Sequence, residues 1–83
     1  MTHYTLCEAV TERINQLLAL KKWTLYKLAK ESGILYGTLK NIVSKQNKGL
    51  NFLTIMQIAS GFGMSIAHFT NHEVFEFNRI KID

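Results

Sequence analysis

Apolar residues recur at helical spacing from the start of the chain. Leu6, Val10, Ile14, Leu17 and Leu18 share one face and predict a first helix beginning at Thr5. Thr5-Leu6-Cys7-Glu8 reads as a capping box, in which hydroxyl and carboxylate satisfy the first backbone donors reciprocally. Lys21 and Lys22 close that helix, where cations suit the negative end of the dipole. Thr24 caps a second helix, and Trp23 before it is placed to pack on Leu28 as a hydrophobic staple. Leu25, Leu28 and Ala29 form its inner face, while Tyr26, Lys27, Lys30 and Glu31 point outward. Gly33 stops it in a left-handed conformation that costs glycine little.

A third helix is predicted over 35–45. Leu39, Ile42 and Val43 form its inner stripe, and Tyr36, Gly37, Lys40, Asn41 and Ser44 its outer face. That outer face is polar, basic and flat, the tyrosine ring apart. A polar loop over 46–50 follows. Asn51 caps a fourth helix reaching Phe62. Phe52, Ile55, Met56, Ile58, Ala59 and Phe62 make it apolar on most sides, which predicts a central buried helix. Gly63 ends it, and Ser65 caps a short fifth helix holding Ile66 and Phe69. Beyond Asn71, Glu73-Val74-Phe75-Glu76-Phe77 alternates, and its residue types favour a strand.

Length and composition narrow the class. The chain has 83 residues, enough for one domain, and 47% of them are hydrophobic, so it is not compositionally disordered. The absence of proline and the presence of only five glycines fit long helices better than many turned strands. No apolar run approaches the ~20 residues of a membrane span, and no secretory leader pattern is present, so a cytoplasmic protein is expected. The single cysteine, Cys7, cannot form an internal disulfide and reads as a small buried residue.

The net charge of +4 understates its local concentration. Residues 21–48 hold seven lysines against Glu31, a net of +6, and the flanking segments each carry a net of −1. The basic segment coincides with the second and third helices, and two short helices joined by a tight glycine turn form the helix-turn-helix pattern. Ala29 is small where the helices cross, Gly33 makes the turn, and Ile34, Leu39 and Ile42 fill the wedge between them.

On these residues the sequence resembles the helix-turn-helix domain of phage Cro, lambda-type repressors and small bacterial regulators, the XRE-type family. The resemblance runs from about Ala9 to Thr70. It includes Trp23-Thr24, Leu28-Ala29, Gly33-Ile34, Thr38-Leu39-x-Asn41-Ile42 and Leu53-Thr54-Ile55-x-x-Ile58-Ala59-x-x-Phe62-Gly63-Met64-Ser65. It implies an all-α, five-helix lambda-repressor-like domain over residues 1–71, with the motif at about 24–45. Residues 72–83 remain as a tail, read as a short strand or dimer contact. It also implies that the 35–45 helix enters the major groove of double-stranded DNA while the second helix crosses the backbone. Carried over to matching positions, Tyr36, Gly37, Lys40 and Asn41 are the base-reading candidates. Asn41 suits adenine, and Lys40 suits the guanine acceptors. Thr24, Tyr26, Lys27, Lys45, Asn47 and Lys48 are the phosphate candidates, which position the protein without choosing sequence.

The sequence departs from the family pattern in three ways. Leu35 replaces the usual Ser or Thr cap, which leaves the helix start uncapped or moves the cap to Gly37 or Thr38; Leu35 can instead touch a thymine methyl. Tyr36 and Gly37 replace the usual Gln or Ser, so Gly37 serves close backbone approach. Leu50 replaces the proline common before the fourth helix.

The remaining chemistry is sparse. His68 and His72 are four apart, but the short helix holding them frays and no third ligand lies nearby, so no metal site is expected. No catalytic set or phosphate-cradling glycine loop is visible, and no enzyme activity, cofactor or small-molecule ligand is expected. Val74, Phe75, Phe77, Ile80 and Ile82 are too apolar to stay exposed and are expected to contact a second subunit as a strand, the alternative being a tail folded onto its own bundle. The expected function is a DNA-binding transcriptional regulator, a repressor acting as a homodimer on a palindromic site. The alternative is an antitoxin or adaptor module whose main partner is a protein.

Overall fold

A computed structural model of the chain describes residues 5–44 and 50–76. They form five α-helices: α1 (Leu6–Lys21), α2 (Leu25–Ser32), α3 (Tyr36–Val43), α4 (Phe52–Gly61) and α5 (Ile66–Thr70). A 3-10 turn over Glu73–Phe75 follows, and no strand occurs among the described residues.

Four of the five helices start at the side chain their sequence marks. Glu8 N–H donates to Thr5 Oγ1 at 3.1 Å while Thr5 N–H donates to Glu8 Oε1 at 2.8 Å, completing the capping box. Lys27 N–H donates to Thr24 Oγ1 at 3.1 Å, Thr54 N–H to Asn51 Oδ1 at 2.9 Å, and His68 N–H to Ser65 Oγ at 3.1 Å. At the other ends, Gly33 takes the left-handed conformation expected of it, with φ 75°. Lys22 does the same at φ 57°, a conformation seldom taken by a residue with a Cβ.

The core draws on every helix. Val10 and Ile14 of α1, Leu28 of α2, Leu39 and Ile42 of α3, Ile58 of α4 and Phe69 of α5 are all fully buried. An aromatic row runs along one side. Trp23 stacks on Phe62 at 5.7 Å, Phe62 on Phe69 at 6.5 Å, and Phe75 meets Phe69 at 5.9 Å, tilted by 52°. Offset and tilted ring pairs of this kind add to the burial of the rings themselves.

The structure corrects three expectations. The inner face of α1 is rotated by one residue at its start: Cys7 is buried and Leu6 is exposed. Helix α4 is not enclosed, because Phe52 and Leu53 are 67% and 64% exposed and Met56 is 43% exposed. The tail forms no strand over the residues described. Val74 N–H donates to His72 Nδ1 and Phe75 N–H to His72 O, at 3.2 and 3.0 Å, which closes a tight turn. That turn sends Val74 into the core and Phe75 against Phe69, so the two residues expected at a second subunit pack on their own bundle. A strand needs a partner ladder, and none is offered among the described residues, whereas the core accepts both side chains from a turn. Phe77, Ile80 and Ile82 lie outside the described residues, as do Lys45, the predicted end of the third helix, and 46–49 of the polar loop.

Helices α2 and α4 come close together at a glycine. A Cβ added at Gly61 would lie 2.7 Å from Ser32 Cβ and 2.9 Å from Ser32 Cα. The backbone atom cannot swing aside as a flexible side chain can. We expect Gly61→Ala to lower stability by about 1–3 kcal/mol through overpacking, read as a drop in the denaturant midpoint at unchanged m-value.

Candidate nucleic-acid interface

Helix α3 has only eight residues, and its inner and outer sides do different things. Leu39 and Ile42 are fully buried, and Ile34 in the preceding turn is buried with them. Its C-terminal end is held by α1: Thr11 Oγ1 donates to Ile42 O at 2.9 Å, and the Cys7 thiol donates to the same oxygen at 3.4 Å. Its last turn is tightened by Ser44 Oγ, which donates to Lys40 O at 2.7 Å and to Asn41 O at 3.1 Å. Its start has no side-chain cap, because Leu35 stands at the N-cap position and the first bond of the helix is Leu39 N–H to Leu35 O at 3.1 Å.

The outer side brings the base-reading candidates together. Tyr36, Gly37 and Lys40 are exposed and Asn41 is half-buried, all on α3. Neither the Lys40 ammonium nor the Asn41 carboxamide bonds to any of the described residues. Gly37 is inside the helix, and a Cβ there would meet nothing within 4 Å. Nothing within the described residues therefore requires a glycine at that position.

Of the phosphate candidates, Thr24, Tyr26 and Lys27 stand exposed at the start of α2, beside that face. The Tyr26 and Tyr36 rings meet at 6.0 Å, tilted by 52°, and tie the two helices together at the surface. Lys45, Asn47 and Lys48 lie outside the described residues. Lys27 is shared: its ammonium lies 3.2 Å from Glu31 Oε2 and 5.5 Å from the Trp23 ring centre. Lys21 lies 5.3 Å from the same ring. The Lys27–Glu31 pair is the only ion pair among the described residues, so Lys22, Lys30 and Lys40 carry uncompensated charge on or beside the motif.

Two polar side chains that matter to this arrangement carry no motif signal. Thr11 is buried and grips α3. Arg13, only 9% exposed, donates from Nε to Phe69 O at 2.7 Å and from Nη2 to His68 O at 3.2 Å. It thereby satisfies carbonyls in the last turn of α5 and places a cation at the negative end of that helix. A charged or polar residue on an otherwise apolar stripe was the available sign, but its partners are more than thirty residues away in sequence. Cys7 is buried, as its size suggested, and His72 Nδ1 is engaged by the backbone of the 3-10 turn. Among the described residues no cluster of metal-ligating side chains occurs. No helix among them is long and apolar enough to cross a membrane.

A family model described as the Cro/C1-type HTH DNA-binding domain matches residues 13–73. The chain belongs to that family, and the membership supports a DNA-binding regulator. No curated protein and no solved structure gives a significant match.

Since Gly37 is not needed by the fold, Gly37→Ala should stabilise the protein. Gly37 is in the first turn, so alanine there gains up to the roughly 0.5–1 kcal/mol of an interior position, which a rise in the thermal midpoint would register.

Proposed function

We propose that this Cro/C1-type domain is a sequence-specific transcriptional repressor that binds a palindromic operator as a homodimer, with α3 in the major groove. The observation that carries the reading is the outer side of α3. Tyr36, Gly37, Lys40 and Asn41 share it, and the described fold makes no use of a glycine at 37, the Lys40 ammonium or the Asn41 carboxamide. Asn41 pairs bidentately with adenine, Lys40 donates to guanine acceptors, and Gly37 lets the groove floor approach the backbone. Thr24, Tyr26 and Lys27 bond phosphates on one side of the groove, and Lys45, Asn47 and Lys48 on the other. Two-fold symmetry sets the two reading helices about 34 Å apart, one turn of the duplex.

The second copy docks on the exposed apolar end of α4, Phe52, Leu53 and Met56, with Phe77, Ile80 and Ile82 of the tail contributing. These side chains are uncharged and so are poorly suited to phosphate, and a large apolar patch on a small domain marks a protein contact. The same patch favours the second reading, an antitoxin or adaptor-type module; a stable one-to-one complex with a different protein in place of self-association would select it.

In-vitro selection of bound duplexes at fixed salt should return a palindrome. Asn41→Ala should relax the preference at one base pair of each half-site, and an unchanged preference would remove Asn41 from the reading face. Lys45→Ala and Lys48→Ala should weaken binding to all sequences and flatten the log–log salt dependence by about 0.9 each. Phe52→Asp should leave half-site affinity intact and abolish cooperative occupation of the full site in gel-shift titrations, with an unchanged circular dichroism spectrum.

A further inference from the structure

Between α2 and α3, on the side that carries the exposed reading residues, the surface has an open hollow. Tyr26, Ala29, Lys30, Ile34, Leu35 and Tyr36 line about 330 Å³. Its lining includes the paired Tyr26 and Tyr36 rings and Leu35, which is 78% exposed. Leu35 stands at the N-cap of α3, where Ser, Thr, Asp or Asn would supply the missing cap. Leucine gives no cap there and is not buried in the core. The position thus holds an apolar side chain that contributes little to the protein by itself.

The major groove offers an apolar projection on one kind of natural base edge, the 5-methyl group of thymine, while the other groups there are hydrogen-bond donors and acceptors. The N-terminal residues of a helix in that groove are the ones that meet base edges. We infer that Leu35, with the Tyr26 and Tyr36 rings lining the same hollow, is a specificity-determining contact that receives the 5-methyl group of a thymine. At about 330 Å³ the hollow has more than the volume of a methyl group. Lys30 in the lining brings a cation to the side of the hollow formed by α2, within the reach of a neighbouring phosphate. The assignment rests on the reading above, in which α3 enters the major groove. It adds a position chosen by shape and hydrophobicity to those chosen by hydrogen bonds.

The test replaces each thymine of the selected site, one at a time, by deoxyuridine, which deletes the methyl and keeps every hydrogen-bonding group. Fluorescence-anisotropy titrations of the full chain should find one thymine in each half-site whose replacement weakens binding about three- to fivefold, the effect of withdrawing one buried methyl group. Leu35→Ala should make the thymine and uracil sites bind equally, and Leu35→Met should keep the difference. Because Leu35 is exposed, the thermal midpoint should stay put, and the salt slope should match the parent protein in every case. Sequence-selective binding with no uracil-sensitive position would overturn the inference while leaving the DNA-binding reading in place. A uracil penalty that persists in Leu35→Ala would do the same. Failure to bind any duplex selectively would overturn the reading on which the inference rests, and the inference with it.

Discussion

A helix of eight residues cannot hold its own shape in water. Nucleation is unfavourable, and isolated helices below about a dozen residues are marginal even with good sequences. Everything α3 presents to the outside therefore depends on how it is gripped from the inside. The grip has two parts. Leu39 and Ile42 are sunk in the core, and the carbonyl of Ile42 accepts the Thr11 hydroxyl and the Cys7 thiol from α1. The apolar contacts supply most of the energy but are non-directional. The bond from Thr11 is directional and buried, and losing it would leave that carbonyl with the weaker thiol donor of Cys7. It fixes how far α3 is advanced along its axis, and hence where Tyr36, Gly37, Lys40 and Asn41 stand.

The first helix plays the same part elsewhere. Arg13 binds carbonyls near the end of α5, as Thr11 binds one near the end of α3. Two helix ends are thus fastened to α1 by polar bonds that span 31 and 56 residues. Across the bundle, α2 is set against α4 at Gly61, where only hydrogen fits beside Ser32. The aromatic row from Trp23 through Phe62 and Phe69 to Phe75 then joins the start of α2, the end of α4, α5 and the 3-10 turn. These links share no single element, so loosening one leaves α2 and α3 still related to each other through the rest.

Much of this was legible in the sequence because it is local. Thr5, Thr24, Asn51 and Ser65 act on amides three residues away, and Gly33 acts on its own torsion angle, so a one-dimensional reading captures them. What escaped is non-local or a matter of degree. Periodicity placed Leu6 on the inner face because it fits the spacing to Val10, yet it lies at the first residue of the helix, at the edge of the apolar stripe. The exposure of Phe52 and Met56 was hidden because hydrophobicity reports what a side chain prefers, not whether a neighbouring element reaches it. The tail misled for a related reason: Val74 and Phe75 can both turn inward from a 3-10 turn, so alternation over so few residues does not define a strand. Gly61 was unremarkable beside the turn glycines, since its role comes from Ser32, far away in sequence. The candidate surface was readable as a list of residue types, yet the hollow lined by Tyr26 and Tyr36 exists only once α2 and α3 are set in place.

The strongest pointer to function is a pair of local choices that work against the helix carrying them. Gly37 inside α3 costs up to about 1 kcal/mol relative to alanine, and a leucine rather than a capping residue at its start costs about 1 kcal/mol more. In a helix of only eight residues these are large fractions of what local structure can contribute. Neither choice is repaid within the described fold: nothing crowds a side chain at Gly37, and Leu35 faces solvent. The other four helices show caps of the expected kind, so the chain uses such devices elsewhere. Sites where local consistency fails without an internal reason are where an external partner sets the requirement. Both failures fall at the N-terminal end of the helix whose Lys40 ammonium and Asn41 carboxamide are unspent, on the segment that concentrates the positive charge. A surface shaped by its partner in this way needs a rigid frame behind it, which is the role the buried bonds from α1 perform.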